Sequence, residues 1–298
     1  MKADFVKSFD GQEIFCYEWN DVKNPKGIVQ IFHGMAEHAY RYNDLAKTLN
    51  QAGFIVFADD HRAHGKTAKG SKLGTYKGKD VFYDTLKDEI FFSKMLKDKY
   101  KLPLYILGHS YGSFIAQEYI TQCQEYDKAI ICGSALMKNR ADVKFGLILA
   151  WQLKLLGKDK PAKIIEKINY GNYNKQVKSG SWLNTDAKEV EKYYADEFNG
   201  KPLSRQFYFN MFNAFRHIYK KSSAKKISKT KPLLIISGEK DPVGSMSKST
   251  KNLFAYYKKI GLQNVDLKIY EGARHEILNE PSTKLKVYAD IIEFINKK

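Results

Sequence analysis

Short apolar runs rich in β-branched and aromatic residues recur along the chain and predict strands. They lie at residues 14–19, 27–32, 54–58, 104–107, 129–132, 233–237 and 265–270. From residue 27 onward the runs mostly alternate with segments whose apolar residues recur every three or four positions, the spacing of a helix. These predicted helices lie at residues 42–51, 81–99, 110–124, 247–260 and 283–296. Nearly continuous apolar strands separated by helices indicate a parallel sheet covered on both faces, and so an α/β fold.

The alternation fails between about residues 137 and 228, which predicts a helical insertion. Its most apolar stretch is FGLILAWQLKLLG at residues 145–157, too short to span a bilayer. Two interpretations stay open for this stretch: a buried helix that packs over a pocket, or a helix that rests at a membrane interface. We therefore expect a core formed by residues 1–137 and 229–298, with residues 138–228 as a helical cap.

Charge is distributed unevenly along the chain. Its 298 residues carry a net charge of +17, and 44 of the 50 basic residues are lysine. Arginine is the residue that binds phosphates and guanine edges through two hydrogen bonds, so a dispersed lysine excess argues against specific nucleic-acid recognition. The predicted cap holds 16 lysines and 3 arginines against 4 aspartates and 4 glutamates, a net charge of +11. The basic excess is thus concentrated in the insertion.

The N-terminal residues, the longest apolar runs and the cysteines all bear on the expected location of the protein. Residues 1–10 mix charged and single apolar residues and lack the apolar core of a signal peptide. No run of about 18 apolar residues predicts a membrane span. The three cysteines, Cys16, Cys123 and Cys132, are odd in number and lack metal-binding spacing, which favours buried, reduced thiols. We expect a cytoplasmic protein.

A tight turn around a serine is predicted at residues 108–112, Gly-His-Ser-Tyr-Gly, where an apolar run meets a helical pattern. Glycines two residues before and after Ser110 permit a turn so tight that the serine takes a strained conformation and its hydroxyl projects from the chain. This is the pattern of a nucleophile elbow. The alternative is a serine that only caps the helix, and its partners must decide between the two.

A nucleophilic serine needs an imidazole to remove its proton and a carboxylate to orient that imidazole. In folds with this elbow the chain order is serine, acid, histidine. Two histidines follow Ser110: His217 lies in an aromatic amphipathic pattern that suits a structural role, whereas His275 follows the last predicted strand. We therefore predict His275 as the base.

The acid is expected on a loop at the carboxyl end of a strand, where open α/β sheets build their sites. The run 233–237 leads into Gly-Glu-Lys-Asp-Pro, which makes Asp241 the first candidate and Glu239 the second. The loop after the preceding strand, Gly-Ser-Ala-Leu-Met at 133–137, offers no carboxylate. An Asp-Pro turn on the surface is the alternative for Asp241.

An oxyanion hole would need two backbone N–H donors. Tyr111 follows the serine and supplies the first, and Met35, after Gly34 in the loop that follows the run 27–32, is expected to supply the second. His33 and His38 flank this loop, but two histidines five residues apart with no paired carboxylate or cysteine cluster predict no metal site.

At this point five segments carry a resemblance to a known family. They are HGMAEH at 33–38, DHRAHGKT at 60–67, GHSYGS at 108–113, GEKDPVG at 238–244 and GARHEILNE at 272–280. The chain resembles the monoacylglycerol lipase and lysophospholipase branch of the α/β-hydrolases, which is grouped with serine aminopeptidases. GNYNK at 171–175 and the segment 181–212 resemble that branch's cap, so the likeness covers nearly the whole chain. The branch more often has glycine where this chain has Ala63.

The resemblance implies a mostly parallel sheet of eight strands with helices on both faces and a cap inserted after strand 6. It implies Ser110 as nucleophile, Asp241 as orienting acid and His275 as base, and no cofactor. The same likeness implies Met35 and Tyr111 as oxyanion donors and Glu37 as a contact near the polar head of the substrate. Four cap residues are expected to line an acyl pocket or rest at an interface: Phe145, Ile148, Leu149 and Trp151.

The leading hypothesis is a serine hydrolase that cleaves esters of single-chain lipids, monoacylglycerol or lysophospholipid, through an acyl-serine intermediate. A small aryl or short-chain carboxylesterase and an aminopeptidase remain alternatives, and a non-catalytic ligand receptor is a third class. The basic cap is expected to contact anionic membranes, which would place the protein at the inner membrane face. The oligomeric state stays open.

Overall fold

The computed structural model describes residues 1–68, 73–177 and 179–297. Residues 69–72, 178 and 298, which fall within the predicted ranges 1–137, 138–228 and 229–298, lie outside the described residues. The strands are β1 (Lys2–Lys7), β2 (Glu13–Trp19), β3 (Gly27–Phe32), β4 (Phe54–Asp59), β5 (Leu104–His109), β6 (Lys128–Cys132), β7 (Leu233–Gly238) and β8 (Val265–Tyr270). The helices are α1 (Asn43–Gln51), α2 (Val81–Tyr100), α3 (Tyr111–Gln122), α4 (Ala141–Leu155), α5 (Lys163–Gln176), α6 (Ala187–Ala195), α7 (Arg205–Ile218), α8 (Lys221–Lys226), α9 (Lys248–Lys259) and α10 (Lys284–Asn296).

All eight strands form one sheet in the order β1-β2-β4-β3-β5-β6-β7-β8. β2 runs antiparallel to β1 and β4, and the remaining neighbours pair in parallel. The predicted mostly parallel, eight-stranded α/β sheet is therefore confirmed. β1 had no counterpart in the apolar pattern because it is a largely exposed edge strand with a lysine at each end.

Successive residues of the central strands point to opposite faces of the sheet and enter different hydrophobic cores. Ile106 packs in the core that contains α3 and α9, whereas Leu107 packs in the core that contains α1 and α10. Because both faces are covered by helices, the middle strands are fully buried and read as continuous apolar runs. All three cysteines are buried and unpaired.

Five helices, α4 to α8, lie between β6 and β7, in the segment where a helical insertion was predicted. They are anchored by α7, whose Phe207, Met211 and Phe215 belong to the same hydrophobic core as α3. α4 packs beside α7 so closely that a Cβ on Gly146 would lie 2.8 Å from the Phe212 ring. Within the described ranges, no helix has both the length and the apolar character needed to cross a membrane.

Candidate active site

Ser110 occupies the turn between β5 and α3, at the carboxyl end of a central strand. Its φ is 52° and its ψ is −117°, a conformation that few residues other than glycine adopt. A Cβ on Gly108 would lie 2.3 Å from the Gly112 carbonyl oxygen, and one on Gly112 would lie 2.1 Å from that of Phe32. Both glycines are required by close backbone approach, which supplies the physical reason for the Gly-x-Ser-x-Gly spacing.

The Ser110 hydroxyl contacts an imidazole that is itself held by a carboxylate. His275 Nε2 lies 2.9 Å from Ser110 Oγ, and His275 Nδ1 lies 3.0 Å from Asp241 Oδ1. Asp241 is fully buried and also accepts a hydrogen bond of 2.9 Å from the Val243 N–H. The three side chains come from the loops after β5, β7 and β8, so the parallel strands bring them to one edge of the sheet.

The electrostatics of this contact favour proton uptake by the imidazole. Burial opposes protonation of His275, but the Asp241 carboxylate outweighs it and raises the pKa of His275 above its ordinary value of 6.5. The arrangement can therefore take the hydroxyl proton onto His275 and stabilise the resulting cation. The alternative partners lie elsewhere: His217 sits on α7 with Lys220 Nζ 2.8 Å from its Nδ1, and Glu239 accepts the Gly272 N–H at 3.0 Å.

The residues predicted as oxyanion donors lie beside Ser110. Tyr111 is the first residue of α3, so its N–H has no partner within the helix. Met35 follows β3 and lines the same cavity as Ser110 and Tyr111. The Glu37 carboxylate accepts the N–H of Gly34 at 2.5 Å and so anchors the loop that carries Met35. Two backbone N–H groups next to a serine hydroxyl are what an oxyanion hole requires.

A buried charged network lies beneath the site and was not predicted. Arg41 bridges Glu37 and Glu276, with its Nη1 2.6 Å from Glu276 Oε1. Burial opposes ionisation of Glu37, yet Arg41 and His109 hold the pKa of that carboxyl well below its usual range. His109 also places its Nε2 3.3 Å from the His275 carbonyl oxygen. The network thus connects three parts of the site: the segment before α1, the residue before Ser110 and the loop that carries His275.

The contact of Glu37 with the polar head of the substrate stays a prediction, and the structure shows which partners hold this side chain. Its carboxylate contacts Arg41, the Tyr42 hydroxyl and the Gly34 N–H, and only 2% of the residue is exposed. Glu37 lines the cavity at Ser110, but its oxygens are held by these partners. It contributes mainly to the position of the loop.

One segment of the insertion is hydrogen-bonded directly to the loop that carries His275. We call residues 179–185 the strap. Arg274 donates to the Ser179 carbonyl at 2.6 Å, and the Glu276 N–H donates to the Leu183 carbonyl at 2.9 Å. The Trp182 ring packs against the His275 ring with 5.1 Å between centroids. The strap therefore covers the imidazole and excludes water from one side of it.

Two cavities meet at Ser110, and they share Met35, Tyr170 and Trp182 as walls. We call them the apolar cavity, of about 90 Å³, and the polar cavity, of about 220 Å³. The apolar cavity is lined largely by Phe114, Met137, Val143, Met211, Phe212, Phe215 and Val243, with Arg140, Asp142 and Asn169 as its polar members. The polar cavity adds Glu166, Tyr193, Tyr194, Lys201 and Glu276. A molecule with an apolar chain on one side of a reacting bond and a polar group on the other fits this division.

The predicted acyl-pocket residues of α4 need correction. None of Phe145, Ile148, Leu149 and Trp151 lines either cavity at Ser110. α4 turns Val143, Gly146 and Ala150 inward, which leaves Phe145, Ile148 and Trp151 at least 50% exposed. The aromatic lining comes instead from α7, α5 and the strap. The three- and four-residue spacing of aromatic residues in α7 could have predicted that this helix lines a cavity. Trp182 lies outside any periodic pattern, so its role could not be predicted in this way.

Comparison with known proteins assigns the family. The family described as serine aminopeptidase, S33, matches residues 23–282, a span that contains Ser110, Asp241 and His275. The chain belongs to this family of α/β-hydrolases. A monoacylglycerol lipase of Mycolicibacterium smegmatis is 28% identical over 96% of this S33 hydrolase and 93% of its own length. A monoglyceride lipase homolog of Monkeypox virus is 27% identical over 94% and 92%.

A solved structure supports the same relationship. The thermostable carboxyl esterase of Bacillus coagulans, in complex with glycerol, is 29% identical to the S33 hydrolase, with a TM-score of 0.89. The match covers 99% of this chain and 97% of the esterase. The S33 hydrolase is therefore an α/β-hydrolase with relatives named as lipases and esterases.

A group of potential metal ligands lies outside these cavities. Among the described residues, Asp59, His61 and Glu89 are the one such group, and all three are buried. His61 Nδ1 lies 3.3 Å from oxygens of both carboxylates. Burial, with Asp59 next to it, raises the pKa of Glu89 well above its ordinary value. His33 and His38 are not members of this group: His33 stacks on His61, and His38 Nε2 contacts Asp196 at 3.0 Å.

Proposed function

We propose that this protein is a serine hydrolase that cleaves the ester bond of monoacylglycerols through an acyl-serine intermediate. The observation that carries the proposal is the position of Ser110, with its His275 and Asp241 partners, at the junction of an apolar and a polar cavity. The acyl chain would occupy the apolar cavity and the glycerol the polar one. Relatives named monoacylglycerol lipase, matched over nearly their whole length, support this substrate class.

The reaction follows from the contacts at Ser110. Its hydroxyl oxygen attacks the ester carbonyl carbon while His275 Nε2 takes the proton, and Asp241 stabilises the imidazolium. The Met35 and Tyr111 N–H groups stabilise the oxyanion. The intermediate collapses when His275 returns the proton to the glycerol oxygen, which leaves. Water then attacks the acyl-serine by the same route, and the fatty acid and free Ser110 are the products.

The charges in the polar cavity favour a neutral head group over a phosphate. Lys201 is the one lysine or arginine lining it among the described residues, and Glu37, Glu166 and Glu276 are carboxylates. Arg41 lies behind them, committed to Glu37 and Glu276. Tight phosphate recognition commonly uses several cations or an arginine that donates two hydrogen bonds. We therefore infer glycerol rather than phosphocholine or phosphoglycerol as the leaving group.

The decisive experiment compares substrates on one preparation. Purified protein is incubated with 1-decanoylglycerol, decanoyl-lysophosphatidylcholine, p-nitrophenyl acetate and leucine p-nitroanilide, and product release is measured. We expect the highest kcat/KM on the monoacylglycerol and no activity in Ser110→Ala. An alkyl fluorophosphonate should label the parent protein at Ser110. Brisk hydrolysis of the acetate or the anilide without fatty-acid release from decanoylglycerol would overturn the substrate class, and full activity of Ser110→Ala would overturn the mechanism.

The exposed face of the insertion supports contact with a membrane. Seven large apolar residues on and between α4 and α5 are between 41% and 68% exposed: Phe145, Ile148, Trp151, Leu155, Leu156, Ile164 and Ile168. Lys144, Lys154, Lys158, Lys160, Lys163 and Lys167 are interspersed with them. Apolar side chains flanked by lysines bind anionic bilayers by combining burial with charge attraction. The two interpretations of α4 thus combine, because one side packs inward and the other faces out.

Vesicle sedimentation tests this contact with a matched pair of variants. Leu155 on α4 and Leu285 on α10 are 66% and 72% exposed. We expect Leu155→Gln to weaken binding to phosphatidylglycerol vesicles by about fivefold to tenfold, because a leucine inserted in the interface contributes about 1 kcal/mol or more. Leu285→Gln should leave binding unchanged. Equal effects of the two substitutions, or equal binding of the parent to neutral phosphatidylcholine vesicles, would contradict the proposed surface.

A further inference from the structure

A groove separate from Ser110 lies between the start of α4 and the end of α7 and has a volume of about 570 Å³. Its apolar lining consists of Met137, Val143, Leu147, Ile148, Phe215 and Tyr219. A volume of this size suits a small amphiphile rather than a solvent molecule. We call it the cationic groove, because every charged residue that lines it is basic.

Five basic residues line the groove and no carboxylate does: Lys138, Arg140, Lys144, Arg216 and Lys220. Arg140 is paired with Asp142 at 2.5 Å. Lys144 and Arg216 are exposed and form no ion pair in the described part of the chain. Like charges gathered around an apolar surface repel one another, and an anion bound among them relieves that repulsion. The groove therefore matches an apolar chain that ends in a negative charge.

The groove also adjoins the reaction site. Met137, Arg140, Val143 and Phe215 line both the cationic groove and the apolar cavity that reaches Ser110. A long chain released from Ser110 thus finds the groove next to the cavity it leaves.

We propose that the cationic groove binds the fatty-acid anion that hydrolysis produces; this inference rests on the proposed ester hydrolysis. The substrate is neutral, whereas the fatty acid carries a full negative charge near pH 7 because its pKa lies well below that pH. The basic residues therefore attract the product and not the substrate. The chain would lie on the apolar lining, with the carboxylate between Lys144 and Arg216. Differential affinity of this kind favours exit of product from the site and re-entry of substrate.

Direct binding tests the groove without catalysis. In a Ser110→Ala background, titration calorimetry measures the affinity for decanoate, kept below its micellar concentration, and for decanol as a neutral analogue. We expect decanoate to bind at least tenfold more tightly than decanol. Lys144→Gln with Arg216→Gln should weaken decanoate binding by about tenfold, the effect of two partly exposed charge contacts. The matched control, Lys47→Gln with Lys286→Gln, removes the same charge from exposed positions on α1 and α10 and should change affinity less than twofold.

Several results would overturn the proposal. Equal affinities for decanoate and decanol, or equal weakening by the groove pair and the control pair, would show that no anion site exists. Tighter binding of dihexanoyl-phosphatidylglycerol than of decanoate would make the groove a lipid head-group site instead. Weakening by Leu155→Gln but not by the groove pair would place the fatty acid on the membrane-facing surface.

The two proposals fail separately. Hydrolysis of decanoylglycerol with no decanoate binding in Ser110→Ala would remove the groove and leave the enzyme. Decanoate binding in a protein that does not hydrolyse decanoylglycerol would remove the proposed substrate.

Discussion

Buried charges distinguish the sheet-bearing core from the inserted helices. In the core, Glu37, Asp59, Arg62, Asp88 and Asp241 are all buried, and Arg62 Nε contacts Asp88 at 2.6 Å. In residues 138–228, no described charged side chain is buried, although the segment carries a net charge of +11. A buried charge must be paired and fixes the position of its partner, whereas an exposed charge acts on molecules that approach from outside. We therefore expect changes in the core to affect every substrate, and changes in the walls that the insertion gives to the apolar cavity to affect lipids more than short substrates.

The largest expected effect is in the core. Asp241→Asn should lower kcat by about 10⁴-fold on decanoylglycerol and on p-nitrophenyl acetate alike, because the imidazole loses the carboxylate that orients it and stabilises its cation. Glu239→Gln is the control, since Glu239 was the second candidate acid and, among the described residues, its carboxylate accepts only the Gly272 N–H. It should change kcat less than threefold in steady-state assays. A loss restricted to the lipid substrate would contradict the division between core and insertion.

Stability provides the second comparison. Arg41→Met leaves the buried Glu37 and Glu276 carboxylates without their cation and should lower the free energy of unfolding by about 3–5 kcal/mol. Lys192→Met removes an exposed lysine of α6 that pairs with Glu189 and should cost less than about 1 kcal/mol. Urea denaturation measures both. If the two variants were equally stable, buried pairing would not distinguish the two regions.

A substitution in the insertion should separate lipid from short substrates. Val143 lines the apolar cavity, so Val143→Phe fills space needed by the acyl chain. We expect kcat/KM on decanoylglycerol to fall by roughly 10–100-fold relative to p-nitrophenyl acetate, the range for a misfit of a few carbon atoms. Gln152→Phe, at an exposed position of the same helix outside both cavities and the cationic groove, should leave the ratio unchanged. Retained hydrolysis of p-nitrophenyl acetate would show that the Val143→Phe variant is folded. If Val143→Phe did not change the ratio of the two kcat/KM values, the acyl chain would lie outside the apolar cavity.

The smallest expected effect is a difference between two histidines. Against the effect of burial, Asp241 raises the pKa of His275, whereas burial, with Lys220 and Arg216 nearby, lowers the pKa of His217. NMR titration should therefore find a midpoint above pH 6.5 for His275 and a midpoint below pH 6.5 for His217. Since the base must be neutral, kcat/KM should rise as pH increases through the His275 pKa.

The contribution of His275 to the free energy of unfolding changes with pH in the opposite direction to kcat/KM. It is fully present below pH 6.5 and is lost as pH rises through the raised pKa. Asp241→Asn should move the His275 midpoint to lower pH and leave His217 unchanged. A His275 midpoint below that of His217 would show that burial outweighs the carboxylate.

The sheet was predictable because buried parallel strands are apolar on both faces and leave continuous runs. The order of Ser110, Asp241 and His275 was also predictable, since strand-end loops meet at one sheet edge. The individual helices of the insertion were mostly not predictable from the sequence. α5 buries only Ile165, α6 only Tyr193 and α8 no residue, so few buried apolar positions mark these helices in the sequence.

The walls of the two cavities depend on tertiary contacts rather than on local pattern. Trp182 lies in an irregular segment, and its place against His275 results from hydrogen bonds between residues about 90 positions apart. Arg41 likewise contacts Glu276 across 235 positions. The local sequence around either residue does not predict this contact.

The attachment of the strap limits how the insertion can be exchanged between relatives. Arg274 and Glu280 bracket His275 in the chain, and both hydrogen-bond to the strap, through the Ser179 carbonyl and the Thr185 N–H. A chimera that grafts a foreign insertion at the ends of β6 and β7 would sever these contacts and release the loop that carries His275. A successful graft must therefore include a compatible 272–280 segment, although that segment lies outside the insertion in the sequence.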